Sequence, residues 1–247
     1  MFIPTGTFLK RFYFKKLYEG KNVIAISSAI QEKLLSLYAQ IRSVPRRIEV
    51  IGNPLKIDYV RETSQAYLPE IDVPYILSVS RITPNKNLSL LIDAYNLLRS
   101  EEKITQKLVI IGTGHDLENV RAKAQKSPYK DSIIFTGQVS NPYPWMRKAD
   151  LFVLSSKFEG LGMVLLEALA CGTKVVSTKS KSGVTDIMKE DLSRYLCDQT
   201  PQSMAKTIET ALNDGIKLDY DSCIAPFSPR SILDDFERLL NDSHPVT

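Results

Sequence analysis

The sequence of 247 residues has few cysteines, few histidines and no long hydrophobic run. No apolar stretch approaches the ~18–20 residues that a membrane-spanning helix needs, so we expect no span. The three cysteines lie far apart and form no CxxC pair, which argues against a disulfide framework and against a zinc site. No internal repeat is visible, so a repeat array is not expected either.

The composition is that of an ordinary globular protein, with 43% apolar and 24% charged residues. A chain of this length can form one large or two small domains. The net charge of +4 suits anionic small molecules or an acidic membrane surface, and it does not indicate a nucleic-acid partner. The first 20 residues lack the uninterrupted apolar core of a signal peptide, so we expect a cytoplasmic protein.

Residues 7–19 predict a helix that is both basic and aromatic. Its side chains are Phe8, Phe12, Tyr13, Phe14 and Tyr18 among Lys10, Arg11, Lys15 and Lys16. Such a helix can lie on an acidic membrane, which would place the protein on the inner face of the cytoplasmic membrane. It can equally pack inside a domain with its lysines in water, and the sequence leaves both interpretations open.

Strand and helix patterns alternate between residues 75 and 196. The strands are predicted at 23–27, 47–51, 75–80, 107–111, 132–137, 151–155, 175–178 and near 195–196. The helices are predicted at 29–39, 88–98, 116–125, 142–148, 163–170, 184–189, 204–213 and 232–240. Several strands are continuously apolar, as in parallel sheets with both faces covered. The fold class is therefore α/β, with a Rossmann-like, doubly wound parallel sheet.

The stretch 155–182 carries the most distinctive polar chemistry. Glu159 precedes the turn Gly160–Gly162, and the apolar run 163–170 after it contains one carboxylate, Glu167. Unpaired amides at the start of a helix form an anion site, and glycines let a ligand approach the backbone closely. A carboxylate within so apolar a helix is costly unless something pairs with it. A polar ligand is one explanation; a capped helix with both carboxylates exposed or bonded within the protein is the other.

Cations and glycines follow other predicted strands. Arg81 and Lys86 stand between a strand and a helix, where ligands of open α/β sheets bind. Arg offers a planar fork to a phosphate, and Lys a mobile point charge. Gly112 and Gly114 form a GxG turn without the third glycine of a dinucleotide fingerprint, so they indicate NAD only weakly. Gly137 ends the next strand. Without the neighbouring motif, two solvated loop cations would explain Arg81 and Lys86 equally well.

These motifs resemble those of the family 4 retaining glycosyltransferases of the GT-B fold. Glu159 and Glu167 stand in the E-x7-E arrangement, within a stretch similar to EGFGLxxLEAMAxGxPVV. Residues 80–87 resemble the family's GRLxxxKN segment, and residues 112–115 and 132–139 resemble its GxGP-like turn and its VxFxGxV segment. The sequence departs from the pattern at Ser80 for Gly, at Lys174 for Pro and at Asp186 for Glu.

The resemblance implies a role for each matching position. Glu159 contacts hydroxyls of a donor sugar, while Arg81 and Lys86 hold its diphosphate, and these three are the predicted catalytic residues. Glu167 accepts hydrogen bonds from the ribose. The predicted nucleotide-binding residues are Gly162, Met163, Val164, Glu167, Gly112, Gly114 and Gly137. Within this set the amides of 162–164 hold the distal phosphate, and the backbone near 137 meets the nucleobase.

The implied reaction is transfer of a sugar from a nucleotide diphosphate, UDP by family frequency, with retention of configuration. The acceptor is a glycan or a lipid-linked acceptor in surface polysaccharide or lipopolysaccharide synthesis. The family's pattern is metal-independent, so we expect no cofactor and no metal requirement. Asp219 and Asp221 form a DxD match, but they lie far along the chain from the phosphate candidates, and we interpret the match as coincidence.

The resemblance also predicts the domain organisation. Residues 1–55 are a remnant of the GT-B N-terminal domain with its linker, 56–225 the nucleotide-sugar-binding domain, and 226–247 the crossover helix and tail. Most of the acceptor domain is absent, so residues 1–50 and the last helix should expose apolar surface. The chain could pair with itself as a homodimer or with a partner chain that supplies the N-terminal domain. Alternatives are a non-catalytic nucleotide-sugar-binding subunit and, less favoured, an epimerase or phosphorylase.

Overall fold

The computed structural model describes residues 8–180 and 183–243. Residues 1–7 of the N-terminal segment and 244–247 of the tail therefore lie outside the described residues. The strands are β1 (Asn22–Ala25), β2 (Arg47–Val50), β3 (Tyr75–Val79), β4 (Lys107–Ile111), β5 (Ile133–Gly137), β6 (Leu151–Leu154), β7 (Val175–Thr178) and β8 (Leu196–Cys197). The helices are α1 (Phe8–Tyr18), α2 (Ser28–Gln40), α3 (Ile57–Thr63), α4 (Leu88–Ser100), α5 (Leu117–Gln125), α6 (Tyr143–Lys148), α7 (Met163–Ala170), α8 (Val184–Ile187), α9 (Pro201–Asn213), α10 (Tyr220–Ile224) and α11 (Pro229–Ser243).

Six parallel strands form the main sheet, in the order β5-β4-β3-β6-β7-β8. The chain winds outward from β3 in one direction and then restarts at β6 in the other. This confirms the predicted doubly wound, Rossmann-like sheet. The order reverses between β3 and β6, and a crevice opens at such a switch point, outside the carboxyl ends of the strands.

The core lies on both faces of this sheet. All four residues of β6 and all four of β7 are buried, which explains the continuous apolar run of β6 and the apolar start of β7 at Val175 and Val176. Helix α7 is buried almost all round, with Leu165, Leu166 and Leu169 fully inaccessible to solvent. The polar groups at the start of α7 are therefore held by a rigid element rather than by a surface loop.

Some element boundaries differ from the predictions. Helices α3 and α10 were not predicted, since they have only 7 and 5 residues and mixed polarity. Helix α9 begins at Pro201, three residues before the predicted start, because the Thr200 side chain accepts from the Ser203 amide and proline suits the first helical position. Helix α11 likewise begins early, at Pro229, where the Ser228 hydroxyl accepts from the Ser231 amide.

Strands β1 and β2 form a separate parallel pair that α1 and α2 accompany. Phe14 of α1 stacks on Tyr18 and meets the edge of Tyr38 from α2, so one face of the basic helix is packed. Its other face leaves Phe12 and Leu17 more than half exposed. The packed face agrees with the interpretation that the helix packs inside a domain, and membrane contact stays a prediction. No helix of the described residues is long and apolar enough to cross a bilayer.

Helix α11 returns to the N-terminal segment, where Ile232 and Leu239 cluster with Ile51. The adjoining side of α11 exposes Leu233, Phe236 and Leu240, spaced as one stripe along the helix. Across the described residues, exposed large apolar side chains fall only within 12–73 and 233–240. The expected apolar surface on the N-terminal segment and on the last helix is confirmed, whereas the proposed domain boundaries remain a prediction.

Lys174 has a clear structural reason for replacing the proline of the family pattern. Its ammonium donates to the carbonyl of Ala211 near the end of α9 at 2.8 Å and pairs with Asp214 at 2.7 Å. Asp214 also accepts from the hydroxyl of Tyr195 at 2.5 Å. The Lys174 and Asp214 side chains are only 15% and 13% exposed, so this network joins β7 to the C-terminal end of α9.

Replacing this cation should destabilise the fold. We expect Lys174→Met to lower the free energy of unfolding by about 3 kcal/mol, because Asp214 loses its counter-charge in a buried position. Urea denaturation followed by circular dichroism measures the change. Lys103→Met is the matched control, since Lys103 pairs with Glu209 at the surface and its loss should cost under about 1 kcal/mol. Equal effects of the two substitutions would contradict a structural role for Lys174.

Candidate functional site

The predicted site residues that follow β3, β4, β5 and β6 meet at one edge of the sheet. The Gly112 amide donates to the Gly137 carbonyl at 2.8 Å, and the Ile82 amide donates to the Thr113 carbonyl at 2.8 Å. The loops after β3, β4 and β5 are thus hydrogen-bonded side by side. Their common position is the carboxyl edge, where ligands of open α/β sheets bind.

The two glycines of the GxG turn have a steric role at this edge. A Cβ atom on Gly112 would lie 1.9 Å from the Ser80 carbonyl oxygen, and one on Gly114 would lie 2.0 Å from that of Ile82. Gly112 also has φ +135°, a conformation that other residues rarely adopt. These glycines let the loop pack directly against the Arg81 segment. Their assignment as ligand contacts stays a prediction, as does that of Gly137.

The loops after β3 and β6 are joined by a second set of hydrogen bonds. The Ser155 hydroxyl donates to the carbonyl of Lys86 at 2.7 Å. The Lys157 amide donates to the carbonyl of Asn85 at 2.7 Å, and the Asn85 side chain donates to the carbonyl of Phe158 at 2.8 Å. These bonds cross the switch point of the sheet and fix the main chain that carries Lys86 and Glu159.

Lys86 and Glu159 form an ion pair, with 2.6 Å between Nζ and Oε1. The same carboxylate oxygen accepts from the Ser156 hydroxyl at 2.5 Å. The side chains of Lys86 and Glu159 are 20% and 14% exposed, so the pair is largely shielded from water. Sequence reasoning missed Ser156, whose only signal was its place at the end of a buried strand, next to the glutamate motif.

Arg81, unlike Lys86, has no partner for its charge among the described residues. It lies on the exposed loop after β3, and its guanidinium has no ion-pair or hydrogen-bond partner among the described residues. A fork of donors at this edge is available to a carboxylate or a phosphate. The structure thus brings both predicted cations to the same edge, one unpaired and one paired.

The start of α7 has the unpaired amides that the sequence predicted. Gly162 adopts the left-handed conformation, with φ 94° and ψ 44°, and α7 begins at Met163. The Leu165 amide already donates to the Gly162 carbonyl at 2.9 Å. Within the described part of the chain, the amides of Gly162, Met163 and Val164 have no acceptor. Such amides at the positive end of a helix favour an anion.

Glu167, one turn further along α7, is a partly buried carboxylate without a partner. The described residues offer Glu167 neither a hydrogen bond nor an ion pair. Bonding to these residues therefore does not explain why a carboxylate stands in this apolar helix. Burial raises the pKa of Glu167 from its ordinary 4.5 to about 7. Burial, followed by the charge of Glu167, also raises the pKa of Tyr143 to about 12. The carboxylate therefore lacks the donors that a ligand could supply.

The DxD match has structural partners. Asp219 accepts from the Ser222 amide at 3.1 Å and so caps α10, while Asp221 pairs with Arg61. Both carboxylates line a hollow that also contains Cys171 and Gly172, just beyond the C-terminal end of α7. They therefore lie at the other end of that helix from Gly162.

The sheet and the groups at its carboxyl edge indicate a class of ligand-binding protein. A doubly wound α/β fold carries, at its switch point, two cations, two carboxylates and an unpaired helix start. This is the arrangement of α/β proteins that bind an anionic ligand outside the strand ends.

Comparison with known proteins gives the family. The model described as "Glycosyl transferases group 1" matches residues 60–242. The chain belongs to this family of glycosyltransferases. Its structural neighbours are glycosyltransferases of the GT-B fold.

Curated relatives come from several bacteria. The chain is 30% identical over 212 residues to an N-acetylgalactosamine-N,N'-diacetylbacillosaminyl-diphospho-undecaprenol 4-alpha-N-acetylgalactosaminyltransferase of Campylobacter jejuni, covering 85% of this chain and 56% of that protein. It is 37% identical over 169 residues to an alpha-monoglucosyldiacylglycerol synthase of Streptococcus pneumoniae, covering 65% and 38%. It is 30% identical over 185 residues to a lipopolysaccharide 1,6-galactosyltransferase of Escherichia coli, covering 70% and 47%.

Solved structures show the same fold. The lipopolysaccharide outer core galactosyltransferase WaaB, in its apo form, matches with a TM-score of 0.70 and 25% identity, over 90% of this chain and 62% of that one. A glycosyltransferase from Rickettsia africae matches with a TM-score of 0.79 and 18% identity, over 100% and 69%. The chain spans about half the length of the curated relatives it matches.

The unpaired carboxylate should make stability depend on pH. The folded chain holds the Glu167 proton more tightly than the unfolded chain, so stability is lost as the pH rises from about 4.5 to about 7. Glu167→Gln should remove this loss and be more stable than the wild type by roughly 1–3 kcal/mol at pH 8, with little difference at pH 4. Urea unfolding at several pH values measures the difference.

Glu118→Gln, which replaces an exposed carboxylate of α5, is the control and should follow the wild-type pH profile. A Glu167→Gln profile parallel to the wild type between pH 4 and 8 would show that Glu167 is not destabilised by burial.

Proposed function

We propose that this chain is the donor-binding portion of a retaining glycosyltransferase that uses a nucleotide diphosphate sugar. The proposal is supported by three groups that follow strands of the sheet at its carboxyl edge: the amides of 162–164, which have no acceptor among the described residues, and the cations Arg81 and Lys86. Family membership makes sugar transfer the chemistry of this edge. UDP, common among the donors of the family, is the expected nucleotide.

The chemistry follows from charge. When the sugar leaves, negative charge develops on the distal phosphate, and preorganised amides with two cations stabilise it. Charge-assisted hydrogen bonds contribute roughly 1.5–3 kcal/mol each, so two or three account for the about 8 kcal/mol of micromolar binding. In this scheme the ribose hydroxyls donate to Glu167 and the sugar hydroxyls to Glu159. Attack from the front face, as the diphosphate departs, retains the anomeric configuration without a metal ion.

The acceptor side is completed by protein outside this chain's fold. The two-stranded sheet of β1 and β2 is open at both edges, and the exposed stripe of α11 lies beside the same segment. A partner chain or domain that continues this sheet would cover both surfaces; a homodimer is the alternative. The printed names of the relatives support a lipid-linked or lipopolysaccharide glycan as acceptor.

Membrane contact is a further part of the proposal. Helix α1 exposes Phe12, Tyr13 and Leu17 on the side that carries Lys16, a combination that suits an acidic bilayer surface. This would place the protein in the cytoplasm, against the inner face of the membrane where lipid-linked acceptors are made.

Nucleotide binding can be tested directly. We expect the chain to bind UDP without magnesium in a calorimetric titration, and Arg81→Ala to weaken the affinity at least tenfold, about 1.4 kcal/mol, through loss of one charge-assisted contact. Arg81 is suited to this test because its guanidinium makes no hydrogen bond or ion pair with the described residues that the substitution would break. Lys126→Ala, which removes an exposed cation at the far end of α5, should leave the affinity unchanged. Equal affinities of all three proteins would argue against the phosphate site.

Catalysis by the chain alone should fail. We expect no transfer when the chain is incubated with UDP-sugars and a mixed pool of glycan and lipid-linked acceptors, since no described element covers the acceptor side. Mass spectrometry of the acceptors detects any product. Addition of a separate protein that supplies the acceptor-side domain should restore transfer. Rapid transfer by the chain alone would contradict the proposal that this chain is only the donor-binding portion.

A further inference from the structure

We infer that the Lys86–Glu159 ion pair makes this site selective for an intact sugar nucleotide over the free nucleotide diphosphate. The inference rests on the proposed function, because it assigns the diphosphate to Lys86 and the sugar to Glu159. It adds that the two contacts depend on each other. In the unliganded site Lys86 and Glu159 pair with each other. On binding, the diphosphate replaces Glu159 as the partner of Lys86, and the sugar hydroxyls replace Lys86 as the partner of Glu159.

The geometry makes the two side chains direct competitors for each other. Lys86 Nζ lies 2.6 Å from Glu159 Oε1, so the cation that the diphosphate needs already neutralises a carboxylate. The main chain at Lys86 is held by the Ser155 hydroxyl at 2.7 Å. Since the backbone is fixed, the ammonium can reach a phosphate only by turning its flexible side chain away from Glu159 or by sharing itself between two anions.

The cost of opening the pair falls on Glu159. Its side chain is 14% exposed, so water cannot replace the lost cation fully. The Ser156 hydroxyl, at 2.5 Å, stays as the one remaining donor to the carboxylate and carries no charge. Hydroxyl groups of a sugar bound next to the diphosphate can donate to the carboxylate and offset this cost. A nucleotide diphosphate without a sugar offers no such donors.

Two consequences follow for a catalytic cycle. The intact donor is preferred, because it satisfies both halves of the separated pair. After transfer the sugar is gone, Glu159 is again uncompensated, and the return of Lys86 to Glu159 competes with the remaining UDP. The ion pair therefore favours release of the nucleotide product. Glu159 acts here as a specificity-determining residue, and Ser156 as the residue that positions it.

The first measurement uses the wild-type chain alone. Calorimetric titrations compare UDP with UDP-glucose, UDP-galactose, UDP-N-acetylglucosamine and UDP-N-acetylgalactosamine. We expect at least one sugar nucleotide to bind more tightly than UDP. If UDP binds more tightly than all four, the inference is overturned while the proposed nucleotide site stands. If none of the five ligands binds, the proposed function itself fails, and the inference fails with it.

The second measurement removes the charge of Glu159. Glu159→Gln keeps an oxygen that accepts from Lys86 and Ser156 but no longer holds the ammonium by charge. We expect it to bind UDP about tenfold more tightly than the wild type and to lose the preference for a sugar nucleotide. Glu209→Gln, which breaks the 3.0 Å surface pair with Lys103, is the matched control and should bind UDP as the wild type does. Unchanged or weaker UDP binding by Glu159→Gln would overturn the inference.

A double variant separates release of Lys86 from a general loss of negative charge. In a Lys86→Met background, Glu159→Gln should change UDP affinity by less than about twofold, because no ammonium is left to free. A tenfold gain in that background as well would show that the carboxylate merely repels the diphosphate, and it would overturn the ion-pair mechanism. Thermal unfolding of each variant confirms that the compared proteins are folded.

Discussion

The hydrogen bonds that join the loops after β3 and β6 hold the candidate site together. These two strands are neighbours in the sheet although 71 residues, 80–150, lie between the end of β3 at Val79 and the start of β6 at Leu151. Because the winding direction reverses between them, this is the point of the sheet where a ligand is expected to bind. Bonds from Ser155, Lys157 and Asn85 join the two loops there. The positions of Lys86, Glu159 and the start of α7 all depend on this bridge.

The edge that results has a consistent electrostatic pattern. Among the described residues, the amides at 162–164 have no acceptor, the Arg81 guanidinium has no anion and Glu167 has no donor. Lys86 and Glu159, in contrast, satisfy each other. A nucleotide diphosphate sugar contains the matching groups: anionic oxygens for the amides and cations, and ribose and sugar hydroxyls for the two carboxylates. Membership of a glycosyltransferase family is consistent with this proposed substrate.

Much of the fold could be predicted from the sequence, because the buried strands are continuous apolar runs and the helices between them have clear periodicity. Helices α3 and α10 could not, since neither is long enough to show a period. For the site, the spacing of Glu159 and Glu167 and their resemblance to a known family indicated a stretch whose role in binding stays a prediction. The pairing of Lys86 with Glu159 depends on distances between side chains 73 residues apart, which no local pattern encodes. The steric need for Gly112 and Gly114 arises in the same way, from a loop 32 residues earlier in the chain (112 − 80 and 114 − 82).

The central claim is that a nucleotide diphosphate binds against the first turn of α7. Amide chemical shifts of the nitrogen-15-labelled chain, recorded during a UDP titration, test it most directly. The account predicts that the signals of Gly162, Met163 and Val164 move most and saturate together with those of the Arg81 loop. Shifts confined to the hollow around Asp219 and Asp221, with the α7 amides unmoved at saturation, would contradict it.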